Sequence, residues 1–260
     1  MEVISADRLK EDRYERSRRI SWLDLKSIKK SNVLVVGAGA TGNEVCKNLV
    51  LSGFKRITIV DMDRIERSNL NRCLFFSDAD ADNKRLKAEV VADKLKTLDK
   101  DMNIFYHTKK IQELPENFIP SFDLVFGCLD NIAARLHINA YCYHHKIPCI
   151  DGATDGFIGK VQVVLPPKTP CLECTMNKTH MKIMEKRFSC TGREVTFFED
   201  KLPAEITTTS VIAAVQVREG IKIISKNEDV LLGRIFYYNG TKNVTEIFEI
   251  EINPKCPHHF

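Results

Sequence analysis

A chain of 260 residues can bury one large α/β core, or one domain with a small appendage. Its 43% hydrophobic and 28% charged residues are ordinary for a globular protein, and a net charge of +4 is too weak to demand nucleic acid or a membrane surface. No apolar run approaches the roughly 18 residues of a membrane span, and nine cysteines, several inside apolar segments, do not form a secreted disulfide framework, so a cytoplasmic protein is expected.

Residues 1–30 carry interleaved charges of both signs and read as a solvated helical leader. "NVLVV" is a buried strand that runs into a glycine turn at Gly37, and "NEVCKNLVLSG" has helical periodicity. "RITIVDMD" is a second apolar strand ending on acidic residues. A helix is expected over "NKRLKAEVVADKLKTL" and a strand over "NIFYHTKKI". "FDLVFGCLDN" is another buried strand, followed by a helix through "AARLHINAYCYHH" and the strand "KIPCID". Strands alternating with helices predict an α/β fold with a Rossmann-like, mostly parallel sheet covered by helices and right-handed crossovers.

After Asp151 the pattern changes. "GFIGKVQVVL" reads as an antiparallel strand, and residues 166–205 then show no clear periodicity. So long an irregular segment in a compact domain points to function. "ITTTSVIAAVQVREGIKII" is a helix, and "RIFYYNG" with "VTEIFEIEI" makes a closing antiparallel hairpin.

Gly37, Gly39 and Gly42 form Gly-x-Gly-x-x-Gly between a strand and a helix, where the backbone can approach a phosphate. Asp61 follows at the end of the next strand, where an acid can hold ribose hydroxyls. A dinucleotide oxidoreductase is the first reading of that pair, but the residues that follow argue against it. Asp63, Asn69, Asn71 and Arg72 crowd one loop, Lys87 opens the next helix, and Asp130 with Asn131 ends a strand. Strand C-terminal ends are where open α/β sheets bind ligands, so these groups converge on one crevice. Cations around a polyphosphate and a carboxylate for Mg²⁺ describe phosphate chemistry rather than hydride transfer.

The stretches "GAGATGNEVCKNLVLSGFKRITIVDMDRIERSNLNR", "LKAEVVADKL", "GCLDNIAARLHIN" and "IPCIDGATDGFIGKVQVVLP" resemble the ubiquitin-activating enzyme superfamily over about residues 31–222. That superfamily includes the adenylyltransferases for molybdopterin and thiamine sulfur carriers. The pattern is most similar to the catalytic half of the activating enzymes for ubiquitin, SUMO and NEDD8. The resemblance implies that a ubiquitin-like modifier ending in diglycine has its carboxylate adenylated by ATP and is then passed, as a thioester, to a conjugating enzyme. Position by position, it implies that Gly37, Gly39, Ala40 and Gly42 line the nucleotide and Asp61 takes the ribose. Asn69, Asn71, Arg72 and Lys87 contact phosphates, with Asp63 in the same loop as Arg72, and Asp130 beside Asn131 holds Mg²⁺. The lead-in to the Lys87 helix is about two residues longer than in the family, so Lys84 is an alternative. The family's arginine supplied across a dimer best matches Arg16 in "RYER", with Arg13 and Arg19 as alternatives, and implies a homodimer.

Cys171 and Cys174 have the spacing of one zinc knuckle, and Cys256 with His259 can supply the other half of a closed structural Zn²⁺ site. His258 fits less well by spacing. Cys190, in "KRFSCTGRE", lies in the irregular segment between Arg187 and Arg193, and nearby cations favour the reactive thiolate. "SCTG" also resembles the Cys-Thr at which SUMO- and NEDD8-activating subunits form their thioester. The chain thus divides into a leader (1–30), a nucleotide-binding adenylation core (31–165), a zinc-knuckle and catalytic-cysteine crossover (166–205), and a return helix with closing strands and zinc-binding tail (206–260). The rival reading is a sulfur-carrier adenylyltransferase for molybdopterin, thiamine or tRNA thiolation, with Cys190 carrying a persulfide or no role.

Overall fold

The computed structural model describes residues 12–175 and 203–259. Its framework follows from apolar strands short enough to be covered on both faces. Five of them, β1 (Asn32–Val36), β2 (Arg56–Val60), β3 (Asn103–His107), β4 (Leu124–Gly127) and β5 (Cys149–Asp155), pair in parallel in the order β3-β2-β1-β4-β5. The sheet then continues antiparallel through β6 (Ile158–Val164), β7 (Arg234–Asn239) and β8 (Val244–Glu249). The mostly parallel sheet and the C-terminal antiparallel strands are those expected from the sequence.

Alternation along β1 splits the core in two. Val33 and Val35 face one apolar cluster, Leu34 and Val36 the other. The first cluster is roofed by α2 (Ala40–Ser52), α4 (Lys87–Leu98) and α6 (Ile206–Ile224). The second is roofed by α5 (Ile132–His144). Burying a Val, Leu or Ile side chain contributes about 1.5–3 kcal/mol, and both faces of the central strands collect this term.

The helical leader expected over residues 1–30 is largely not helix in its described part. Ser17–Arg19 form a single 3-10 turn, and α1 (Leu25–Lys30) has six residues. Asp24 starts α1, its carboxylate accepting from the amides of Lys26 and Ser27 at 3.0 Å each. The alternating charges offer no apolar stripe that packing could stabilise, and among the described residues before α1 only Tyr14 is buried. The helix predicted from Asn83 begins instead at Lys87, because Lys84 adopts a left-handed backbone (φ 47°). A short helix, α3 (Asp78–Asp82), capped by Ser77, fills the lead-in. Among the described residues no helix is long and apolar enough to cross a membrane.

Candidate functional site

The reversal of strand order lies between β1 and β4, and the glycine turn sits at that switch point. Gly37 has φ 100°, and a Cβ there would lie 2.4 Å from the Cys128 carbonyl oxygen. A Cβ on Gly42 would lie 1.9 Å from the Gly37 oxygen. Both positions therefore require glycine. Gly39 is different, since a Cβ there would meet no atom within 4 Å. It is the N-cap of α2 and supplies no side-chain acceptor, so no side chain of its own caps the first-turn amides, and a helix N-terminus of this kind favours an anion.

Two side chains hold this turn in shape. Asn43 is fully buried, and its amide donates to the carbonyls of Ala38 (2.8 Å) and Gly39 (2.9 Å). Its oxygen accepts from the Phe75 amide at 3.0 Å, tying the turn to the loop that follows Arg72. Asp61, just beyond β2, accepts from the Ala38 amide and from the Asp63 amide, both at 2.7 Å. Each oxygen uses one lone pair there and keeps another for a ligand hydroxyl.

The same acid end of β2 holds Lys87. Its ammonium pairs with Asp63 at 2.8 Å. Burial works against that charge, but Asp61 and Asp63 outweigh it and hold the Lys87 pKa above the ordinary value. Burial raises Asp61 above the usual carboxylate range, with Lys87 and the two backbone amides opposing. The exposed Lys84, the alternative phosphate cation, sits on its left-handed turn and is not among the groups facing Asp61.

Arg72 and its neighbours form the loop wall. Asn69 is buried, and its side-chain oxygen accepts from the Glu66 amide at 3.0 Å, closing the turn. The Arg72 guanidinium donates to the Asn71 oxygen at 3.0 Å and to the Ser68 carbonyl. Burial pushes the adjacent Cys73 thiol up to about 11, with the Arg72 and Lys87 cations pulling it back and Asp61 raising it. Arg72, Lys87 and Asp61 all act on the Cys73 thiol.

Asp130 is exposed just past β4 and makes no hydrogen bond or ion pair among the described residues. Asn131 caps α5, accepting from the Ala134 amide at 3.1 Å. One turn further along α5, Arg135 donates to Asp151 on β5 at 2.9 Å through Nε and also through a terminal nitrogen. Lys160 lies on the same face of the β5–β6 ladder, two register positions from Asp151. Burial and the Arg135 cation lower its pKa. Beneath β4 and β5, the Gln216 amide donates to the carbonyls of Gly127 (2.9 Å) and Ile150 (3.0 Å), bracing the strand ends.

The leader arginines differ in commitment. Arg13 pairs with Asp99 at 2.7 Å, and Arg19 pairs with Glu15. Arg16 is exposed and makes no hydrogen bond or ion pair among the described residues. Cys190 lies outside the described residues.

A second constellation lies under the far end of α5. Cys171 Sγ is 3.9 Å from Cys174 Sγ and 3.5 Å from Cys256 Sγ, and Cys174 Sγ is 3.3 Å from His259 Nε2. All four ligand atoms lie within 4.8 Å of one another. A zinc tetrahedron with Zn–S near 2.3 Å has S···S edges of about 3.8 Å, which these separations bracket. Burial raises Cys171, while the Asn139 amide favours its thiolate. That amide nitrogen is buried without a partner of good geometry, an N–H that a thiolate ligand can satisfy. His258, the alternative ligand, turns instead to Glu173 at 2.8 Å. Three sulfurs and one imidazole nitrogen fit Zn²⁺ in a closed site.

Comparison with known families matches the ThiF family over residues 13–258. The chain belongs to the ThiF family. It is therefore a member of the ubiquitin-activating, E1-like superfamily that the sequence resembles. It is 41% identical over 149 residues to the SUMO-activating enzyme subunit 2 of Dictyostelium discoideum, covering 56% of this chain and 22% of that protein. The NEDD8-activating enzyme E1 catalytic subunit of the same organism is 38% identical over 158 residues, covering 56% of this chain and 35% of that protein. The chain thus spans about a fifth to a third of the length of these relatives. E. coli MccB, solved with ATP, has a TM-score of 0.79 at 23% identity over 98% of this chain and 75% of its own, which shows a shared fold.

Within this ThiF-family fold, the glycine turn is tied to Asp61 through the Ala38 amide, Asp61 to Asp63, and Asp63 to Lys87, while Asp130 and Asn131 lie just past β4. The sequence reading missed Asn43, the Arg135–Asp151 pair, Lys160 and Gln216. A polar residue straight after the third glycine, on the buried side of an apolar helix, is the signal that points to Asn43.

Proposed function

We propose that this ThiF-family chain adenylates the C-terminal carboxylate of a ubiquitin-like modifier and then holds the modifier as a thioester on Cys190 for transfer to a conjugating enzyme. One observation carries the reading. An open helix N-terminus, the Asp61 acceptor, the Lys87 cation and Asp130, which has no partner among the described residues, lie at the C-terminal ends of β1, β2 and β4. The SUMO- and NEDD8-activating relatives support a ubiquitin-like modifier as the acyl partner. MccB with ATP supports the nucleotide.

In this reading the α2 amides and the glycine turn hold phosphate, and Asp61 accepts the ribose hydroxyls. Asn69, Asn71, Arg72 and Lys87 neutralise the phosphates. A carboxylate oxygen of the modifier bonds to the α-phosphorus, the bond to the pyrophosphate oxygen breaks, and pyrophosphate leaves with the electron pair. The nucleophile is already an anion, so positioning and charge neutralisation do the work and no general base is needed. The Cys190 thiolate then attacks the acyl carbonyl, forming C–S as the C–O bond to AMP breaks. Asp130 is the carboxylate for Mg²⁺, which characteristically takes one or two carboxylates plus substrate phosphates and would neutralise phosphate charge when bound. Arg16 reaches the nucleotide of a second copy in a homodimer. Cys171, Cys174, Cys256 and His259 would hold Zn²⁺ and so pin the C-terminal tail to the 3-10 turn at Leu172–Thr175.

A second reading stops at adenylation, as in a sulfur-carrier adenylyltransferase for molybdopterin, thiamine or tRNA thiolation. The shared fold with MccB, also solved with N-formylated MccA, covers 99% of this chain and 77% of MccB and favours keeping it. Incubation with ATP, Mg²⁺ and ubiquitin-like proteins ending in diglycine separates the two. Pyrophosphate exchange with a thiol-sensitive adduct on a non-reducing gel supports the thioester. Exchange without the adduct supports the second reading, and no exchange with any carrier overturns both.

A further inference from the structure

Helix α5 presents Arg135, Asn139 and Tyr143 at successive four-residue steps, one row on one face. Arg135 serves the crevice, and the other two reach the cysteine–histidine constellation. The Tyr143 hydroxyl lies 2.8 Å from His259 Nδ1 and 3.2 Å from the Pro167 carbonyl oxygen. A carbonyl oxygen can only accept, and a tyrosine hydroxyl has one proton to give. With that proton directed to Pro167, the hydroxyl oxygen accepts from Nδ1–H. The neutral imidazole then carries its proton on Nδ1 and leaves the Nε2 lone pair facing Cys174 Sγ, 3.3 Å away. The ring also packs against Tyr143 at a tilt of 47°, with centroids 4.4 Å apart. On the adjacent turn, Asn139 accepts from the Leu172 amide at 2.9 Å, which fixes the segment between the two cysteines.

We propose that Tyr143 is the positioning residue of the metal centre: it selects the His259 tautomer and holds the ring so that Nε2 can coordinate zinc. This rests on the zinc reading given above and adds a residue that touches no metal. Hydrogen-bonded partners of a metal-bound histidine typically change metal affinity by about 10–100-fold when removed.

The test measures zinc affinity of the full chain by competition with a chromophoric chelator, in a two-by-two set. Tyr143→Phe keeps the ring and its packing and removes only the hydroxyl. It is expected to weaken zinc about 10–100-fold with His259 present. In a His259→Cys background the ligand is a thiolate that needs no tautomer, and Tyr143→Phe is expected to change affinity less than about threefold. Equal losses in both backgrounds would mean that the hydroxyl serves packing alone, and unchanged affinity with His259 present would mean that it does nothing; either overturns the proposal. A wild-type chain that binds no zinc overturns the metal reading itself, and this inference with it.

Discussion

Replacing Lys87 by alanine removes a cation only 13% exposed, paired with Asp63, which is itself 52% exposed. Near a protein surface an effective dielectric of about 20 applies, and a unit charge about 4 Å from a phosphate oxygen contributes about 4 kcal/mol. Removing one preorganised stabilising group from an active site typically costs about 2.7–4 kcal/mol. Both routes give about 10²–10³-fold, since each 1.36 kcal/mol is tenfold in rate. Because Lys87 is largely buried and also faces Asp61, the substitution should lower stability too, by more than the ~0–1 kcal/mol of an exposed ion pair. The assay is modifier-dependent ATP–pyrophosphate exchange, with thermal unfolding as the check on folding. Lys84→Ala is the control, on an exposed left-handed turn, and should stay within about twofold, as surface substitutions do. Exchange by Lys87→Ala within about threefold of wild type, or a crippled Lys84→Ala, would refute the assignment of Lys87 to phosphate charge.

Asp130→Ala should abolish exchange while leaving the unfolding temperature in place, and near-normal exchange would remove Asp130 as the Mg²⁺ carboxylate. Mixing an Arg16→Ala chain with an Asp130→Ala chain should restore part of the activity through mixed dimers; no recovery, with mixed dimers demonstrated, rules out action across the dimer. Zinc should be present at about one per chain, and chelation should lower the unfolding temperature, because a structural zinc site contributes folding energy. Metal analysis showing no zinc, or Cys171→Ser with unchanged content, rejects the site. Cys190→Ala should keep exchange and lose the thiol-sensitive adduct, and an adduct that persists places the chemistry on another thiol.

The parts of this fold that were legible are those in which local sequence and global packing agree. β1, β2 and β4 are short continuous apolar runs, and their burial on both faces leaves few alternatives. Gly37 and Asp61 could be read from spacing because one strand and one helix separate them, and the structure joins them through the Ala38 amide. Residues that meet through folding carried no such signal. Arg135 meets Asp151 across a helix–strand connection, and Tyr143 reaches His259 over 116 residues. The start of the helix at Lys87 rather than Asn83 turns on one left-handed residue, Lys84, which spacing does not encode. The leader misled for a related reason: interleaved charges suit an exposed helix, but without an apolar face nothing stabilises one.

The charges of the crevice argue for what must come from outside it. Four carboxylates, Asp61, Asp63, Asp130 and Asp151, stand against four cations, Arg72, Lys87, Arg135 and Lys160. Most of those cations are already engaged. Lys87 faces Asp63, Arg135 faces Asp151, and Arg72 donates to Ser68 and Asn71. A polyphosphate entering this nearly neutral space, followed by a carboxylate that must approach the α-phosphorus, adds only negative charge. On the proposed reading, a divalent cation at Asp130 supplies part of the balance. The remainder calls for a further positive group. Arg13, Arg18 and Arg19 each pair with an acid of the chain, whereas Arg16, among them in the leader, has no such partner among the described residues. Leaving an arginine uncommitted costs little on an exposed leader, where solvent screens it. In the crevice of a second copy the same charge would act at close range, with less solvent to weaken it.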